Sequence, residues 1–336
     1  MKDKLVKRKG FTIIILVILL IICAFCGILL GSVSLKPFDV VKVLLGLDKQ
    51  STTYILVATV RIPRVIGGVL AGMGLAVAGV ILQGVMNNAL ASPNTIGVNS
   101  GAGFAVMLAL MFASDYSAVI PVASFIGALV TTLLIFLLAY MADSSRTTII
   151  LAGITVSSFL NAGINTIKLL DSDVTVNLTS FLIGTLSGLT IKKLIVPGIA
   201  IVISVLVSFI FAKPLNILGL GDDIARGLGL NVSVTRFCLL VISSILAGCV
   251  VSFAGLLGFI GLIVPHICRH LFGNDARFLL PCSALLGASF VLICDLIGRM
   301  MFSPYELPCG IIMSFVGGPF FLYLLLKKKG GRRVNA

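Results

Sequence analysis

The chain has 336 residues, of which 59% are hydrophobic and only 11% charged, with a mean hydropathy of +1.19. A soluble domain carries about a quarter charged residues, so this composition excludes a soluble fold and makes lipid the solvent for most of the chain. The net charge of +13 does not point to nucleic acid, because no basic face or recognition motif accompanies it.

The charge sits instead beside apolar runs. Lys2, Lys4, Lys7, Arg8 and Lys9 precede the first run, and Lys327, Lys328, Lys329, Arg332 and Arg333 follow the last. Such flanking clusters are the positive-inside signal, which predicts cytoplasmic termini and an even number of spans. At roughly 20 residues per span, the length holds about eight to eleven helices. The apolar runs are continuous rather than alternating, which argues against a β-barrel. The expected fold is all-α and integral to the membrane, with about ten transmembrane helices. A cytoplasmic tail 1–10, one polytopic domain 11–326 and a basic tail 327–336 complete the organisation.

In chain order, the first expected span is 11–32. Residues 11–30 have the basic start and apolar centre of a signal peptide. The run is long for one, however, and no small-residue cleavage site follows cleanly, so it reads as a retained span. Cys23 and Cys26 form a C-x-x-C spacing there. Inside a lipid-embedded helix this reads as packing, and the eight cysteines are otherwise scattered. The loop 33–60 is expected outside, with a short amphipathic stretch at 38–47. The second span, 63–83, carries Gly67, Gly68, Gly72, Gly74 and Gly79, small residues that let helix backbones approach closely.

Further spans are expected at 94–113, 118–141, 149–169 and 193–212. The loop 213–235, expected inside, contains Leu218, Gly221, Asp222, Asp223, Ile224, Ala225, Arg226, Gly227, Leu228 and Gly229. Asp222 or Asp223 can cap a short helix that Gly227 and Gly229 then stop or bend. A glycine-hinged pair of short helices there makes a docking element. The last four spans are expected at 236–252, 255–272, 281–300 and 308–326, with Gly255 and Gly258 dividing the first two. Tyr54, Tyr116, Tyr140, Tyr305 and Tyr323 fall near span ends, where an amphipathic ring is favoured.

Chemistry-bearing motifs are missing. The sequence has no G-x-x-x-x-G-K-[ST] phosphate loop and no H-E-x-x-H, and no Ser/His/Asp arrangement stands out. This argues against a membrane-embedded enzyme. His266 and His270 stand four apart on one helical face, but two ligands do not complete a metal site. No metal or cofactor is expected on this chain. Asp295 and Arg299 stand at a spacing that favours an ion pair. The spans are otherwise nearly free of charge, which argues against an ion-coupled secondary transporter.

Several long strings occur together. Arg61-Ile62-Pro63-Arg64 is followed by Ala71-Gly72-Met73-Gly74-Leu75-Ala76-Val77-Ala78-Gly79, then Gln83, Asn88-Ala89-Leu90-Ala91-Ser92-Pro93, Gly97 and Gly101-Ala102. Later come Gly258-Phe259-Ile260-Gly261-Leu262-Ile263-Val264-Pro265-His266, Arg269 and Gly273-Asn274-Asp275-Ala276-Arg277. Glu306-Leu307-Pro308-Cys309-Gly310 and Gly317-Gly318-Pro319-Phe320-Phe321 follow near the end. In this order and spacing, over about residues 55–326, the chain closely resembles the FecCD-type permeases of bacterial ABC importers, which serve iron-siderophore, haem and vitamin B12 uptake. Ala89 departs from a usual proline near the inner gate. Phe181 stands near where a tryptophan is common.

The resemblance implies a ten-helix permease in the bacterial plasma membrane. It implies a second permease subunit, two cytoplasmic ATPase subunits that use ATP and magnesium, and an extracytoplasmic binding protein. A ferric siderophore is the substrate expected from the commonest members, with cobalamin or haem as the alternative. It implies that the loop around 218–230 holds coupling helices, with Asp222, Asp223 and Arg226 as polar contacts and Ile224 and Leu228 as apolar ones. It also implies that Arg61, Arg64 and Arg299 meet acidic residues of the binding protein. Gln83, Asn88, Leu90, Arg146 and Thr147 fall near the family's pathway and gates.

Overall fold

Every long apolar run of the sequence becomes helix, because a backbone in lipid must satisfy its own hydrogen bonds. A computed structural model describes residues 2–31, 33, 35–48, 51–94, 97–112, 116–141, 146–170 and 172–330. The tail from 331, with Arg332 and Arg333, lies outside the described residues, as do the side chains of residues 2–9, 327–329, Tyr116, Tyr140 and Arg146.

The chain opens with α1 (Lys2–Leu29), then α2 (Pro37–Leu44) and α3 (Thr52–Ile55) in the first loop. A π-helical segment, Leu56–Arg61, runs directly into α4 (Ile62–Val85). Next come α5 (Val98–Leu110), α6 (Tyr116–Met141), α7 (Arg146–Leu170), α8 (Ser172–Ile183) and α9 (Ile191–Ile210). Two short helices follow, α10 (Ala212–Leu218) and α11 (Asp222–Gly227). The chain ends with α12 (Val232–Ala254), α13 (Ile260–Phe272), α14 (Ala276–Met300) and α15 (Cys309–Gly330).

Among the described residues, seven helices are long and apolar enough to cross a membrane, and three shorter apolar helices accompany them. These ten fall on the ten runs expected from the sequence. The short ones are α5, α13 and the Cys309–Tyr323 part of α15. A helix of 13 residues spans only about 20 Å, less than the roughly 30 Å hydrocarbon layer. The backbone flanking it must therefore be bonded within the protein. That is observed around α13 and α15. Thr185 N–H donates to the Ala254 carbonyl (2.9 Å), Leu256 N–H to Phe181 (2.9 Å) and Gly310 N–H to Gly184 (3.1 Å).

Three details differ from expectation. The third span starts at Val98 rather than 94, on Gly97 at φ +74°. The division between α12 and α13 is made by Gly255 (φ +71°) and Phe259 (φ +66°), so Gly255 breaks the run as expected but Phe259 restarts it. The helix α8 was not anticipated, because Ser172, Asp173, Thr175, Asn177 and Thr179 interrupt its apolar pattern.

The centre of the bundle is α4, packed against α14, α12, α13 and α9. Its glycines make this possible. A Cβ on Gly72 would collide with the Gly287 carbonyl of α14, and one on Gly79 with the Gly261 carbonyl of α13. In lipid no hydrophobic force drives helices together, so association rests on this close van der Waals contact. Outward faces are apolar, as with Ile14, Ile18 and Ile21 of α1 and Val196, Ile199 and Leu206 of α9.

Candidate functional site

The two ends of α4 lead to two different clusters. At its N-terminal end stand the three arginines expected to face a docking partner. The structure buries them instead, with Arg61 3%, Arg64 5% and Arg299 3% exposed. A guanidinium among apolar helices requires partners, and the chain supplies them from far away in sequence. Arg64 Nε donates to both carboxylate oxygens of Asp295 (3.0 and 3.1 Å), and its Nη1 donates to Glu306 Oε2 at 2.6 Å. Arg299 Nε lies 3.1 Å from Asp295 Oδ2, the pair that the four-residue spacing predicts.

The remaining donors cap α1. Arg61 Nη1 donates to the carbonyls of Ile28 (2.7 Å) and Leu29 (2.6 Å), and its Nη2 to that of Val33. Arg299 donates to the carbonyls of Gly27 (3.1 Å) and Leu30 (3.2 Å). Those of Gly27, Ile28 and Leu29 are orphan carbonyls at the C-terminus of α1, where the dipole also favours cations, and those of Leu30 and Val33 belong to the chain leaving it. The three arginines therefore tie α1, α4, α14 and the segment before α15 together. In this conformation they make internal contacts rather than offer charge to a partner.

The loop 213–235 lies near the other end of α4. Gly221, at φ +113°, precedes α11, and no side chain caps the helix. Asp222 and Asp223 sit in the first turn rather than at the cap, where their charge still suits the dipole. Asp222 Oδ2 accepts from Arg236 Nη2 at 2.7 Å, and Arg236 is buried in α12. Asp223 and Arg226 form an exposed pair at 3.6 Å, a contact of little energetic weight. Gly227 ends α11, and Gly229 (φ +79°) turns the chain. Leu218 and Ala225 are buried, while Leu220, Ile224 and Leu228 are exposed. Asn216 of α10 donates to Asp275 Oδ1 and accepts from Ala276 N–H, both at 2.8 Å, which fixes α10 to the start of α14.

Between this loop and the bundle lies a cavity of about 1070 Å³ lined by Gln83, Asn88, Leu90, Asn216, His266 and Arg269, among others. Gln83 is buried. Its Nε2 donates to the Gly261 carbonyl (3.2 Å), and its Oε1 accepts from Arg269 Nη1. Asn88 Oδ1 accepts from Leu90 N–H at 3.0 Å. The His266 and Phe320 rings meet in a T-shaped arrangement, with centroids 5.8 Å apart. Three of the five expected gate residues thus share one cavity. Thr147, exposed at the start of α7, is not in its lining, and the Arg146 side chain lies outside the described residues.

A second cavity, of about 1060 Å³, lies between α5, α7, the turn at 256–259 and α15. Asn94, Asn99, Asn161, Asn165 and Lys168 line it, with Phe259 and Phe315. None of these polar residues was singled out from the sequence. Their signal was there, since Asn161, Asn165 and Lys168 recur at i, i+4 and i+7 in a membrane helix.

Residues 18–327 match the FecCD transport family. The chain belongs to that family. Over 95% of its length and 96% of the relative's, it is 38% identical to the Fe(3+)-citrate import system permease protein YfmE of Bacillus subtilis. It is also 38% identical to that organism's probable siderophore transport system permease protein YfhA, over 89% of this chain and 90% of the other. Among solved structures it resembles an inward-facing conformation of a metal-chelate type ABC transporter. There the TM-score is 0.84 and the identity 27%, covering 94% of this chain and 98% of the other. This FecCD chain is the permease component of an ABC importer, not an enzyme in itself.

Proposed function

We propose that this FecCD permease carries a ferric siderophore across the bacterial plasma membrane, with both termini in the cytoplasm. It works with a second permease subunit, two ATPase subunits and an extracytoplasmic binding protein. The observation that carries this reading is the loop 213–235. Its helices are bonded to the bundle through Asp222–Arg236 and Asn216–Asp275. They also present Ile224 and Leu228 outward. A surface that presents Ile224, Leu228 and the Asp223–Arg226 pair outward and is bonded to helices inside is suited to receive a push from an ATPase and pass it on.

In that mechanism ATP binds only the partner subunits. Their closure displaces α10 and α11, which move α14 and α12 as packed units and shift access from one membrane face to the other, a rigid-body change. The iron substrate is supported by the ferric citrate and siderophore permeases to which the chain is similar. Haem and cobalamin remain the alternative cargo.

The test is uptake of labelled ferric siderophore by cells carrying the intact system, compared with a strain in which Asp222, Asp223 and Arg226 are replaced by alanine. The expected result is loss of uptake with the protein still in the membrane. Uptake that persists without the ATPase overturns the mechanism. Entry of labelled haem or cobalamin instead overturns only the choice of substrate.

A further inference from the structure

The second cavity has a wall that packing does not explain. Asn161, Asn165 and Lys168 stand on one face of α7, and the first and last are about 10 Å apart along the axis. Three hydroxyls on α7 are satisfied within the helix, while Ser157 Oγ is buried without a partner among the described residues. Thr155 Oγ1 donates to the Leu151 carbonyl, Ser158 Oγ to Ile154 and Thr166 Oγ1 to Ala162, each at 2.9 Å. The side chains of Asn161, Asn165 and Lys168 have no such partner among the described residues, and the same holds for Asn99 on the facing α5. Carboxamides and an ammonium group at a membrane helix surface are costly against lipid, so they face water or a ligand.

The chemistry of the wall is specific. Lys168 is the one charged residue among the described lining, which carries no carboxylate. A carboxamide both donates and accepts, so this face can bond the carboxylate and hydroxyl oxygens of a ligand while Lys168 balances net negative charge. A flat apolar macrocycle would leave these groups unsatisfied, a penalty that selects against it.

We propose that the Asn161, Asn165 and Lys168 face of α7 is a selecting site within the permease that takes an anionic, oxygen-rich metal chelate. This rests on the importer reading above and narrows its substrate class. Lys168 stands two residues from the end of α7, at the mouth that meets the binding protein in the proposed topology. The asparagines lie one and two turns deeper. Anionic cargo released there meets the cation first and the carboxamides next.

The test uses the permease–ATPase complex in lipid nanodiscs without its binding protein, and two labelled probes, anionic ferric citrate and a neutral ferric trihydroxamate. The wild type is expected to retain ferric citrate about tenfold better, the scale of one charge-assisted hydrogen bond. Lys168→Gln should remove that preference and Lys168→Arg keep it, while Asn161→Leu with Asn165→Leu should weaken retention of both probes. Equal retention, no retention, or a preference unchanged in Lys168→Gln overturns the selecting site. So does a shift of the Lys168→Gln complex to a different subunit number, which would make this face a contact between permease copies. ATP-driven uptake by the complete system is measured in parallel. If uptake is present while the preference is absent, the selecting site alone fails; if no ferric chelate is taken up, the importer reading fails.

Discussion

Arg236 Nη2 donates to Asp222 Oδ2 at 2.7 Å, joining the first turn of the short helix α11 to the first turns of the membrane helix α12. Arg236 is 3% exposed at its side chain and Asp222 26%. The bond is thus sheltered on one side and open to the loop's outer surface on the other. It is a direct mechanical link between the surface proposed to meet the ATPase and a helix of the bundle core.

Breaking that link should separate ATP hydrolysis from transport. Arg236→Ala and Asp222→Ala are each expected to reduce binding-protein-stimulated uptake in proteoliposomes at least tenfold. ATP hydrolysis should fall less. A double-mutant cycle on thermal stability should return a coupling of about 1–3 kcal/mol, since one partner is buried. Coupling near zero would mean that the contact is incidental. Asp223→Ala, by contrast, removes an exposed pair and should shift stability by less than 0.5 kcal/mol.

The arginine cluster makes a different prediction. Asp295 serves both Arg64 and Arg299, so Asp295→Ala leaves two buried guanidinium groups short of a counter-charge. The expected loss is about 3–5 kcal/mol, read as a large drop in melting temperature of the detergent-solubilised permease. Glu306→Gln should cost less, because Glu306 is 30% exposed and water can replace it. Arg64→Ala is expected to lower melting temperature while leaving the affinity of surviving protein for its binding protein within about threefold. The opposite pattern would return Arg64 to a docking role.

That cluster also shows what the sequence makes legible. The ten spans are readable because lipid imposes a single local rule, about 20 apolar residues in succession, and α1, α4, α12 and α14 obey it. The Asp295–Arg299 pair is readable because its spacing is local. The role of Arg64 is not, since its partners stand 231 and 242 residues away and only the folded chain brings them together. For the same reason the capping of α1 by Arg61 is not legible, since the carbonyls it meets stand 33 and 32 residues away. The polar face of α7 is legible in its spacing alone, since Asn161, Asn165 and Lys168 recur at i, i+4 and i+7. The π-helical segment before α4 has no sequence signature, because it is one extra residue per turn rather than a composition.

The glycines of α4 give a packing prediction. Gly72 and Gly287 face each other so closely that a Cβ on either would collide with the backbone of the other. Backbone cannot rotate away as a side chain can, so Gly72→Ala must push α4 and α14 apart. The expected cost exceeds the 1–3 kcal/mol usual for overpacking, seen as little folded protein in size-exclusion chromatography. Gly318, beside which a Cβ meets nothing within 4 Å, is the control, and Gly318→Ala should leave the elution profile unchanged.

The last prediction concerns Gln83, buried where α4 meets α13. Its amide donates to the Gly261 carbonyl at 3.2 Å, and its oxygen accepts from Arg269. One side chain thus holds the carbonyl near the start of α13 and a guanidinium near its end, and it does so on the wall of the cavity beside the 213–235 loop. Gln83→Leu keeps the bulk but removes both bonds, leaving Arg269 without this acceptor in a half-buried site. A hydrogen bond to a charged group is worth about 1.5–3 kcal/mol, enough to change the balance of two conformations by tenfold or more. If the bond holds α13 to α4 in only one state of the transport cycle, the variant should hydrolyse ATP without the binding protein while uptake falls. Gln83→Glu keeps an acceptor for Arg269 but loses the donor to Gly261, so it separates the two bonds. Should both variants show wild-type basal ATPase activity and uptake, Gln83 would be a packing residue and the cavity would not be a gate.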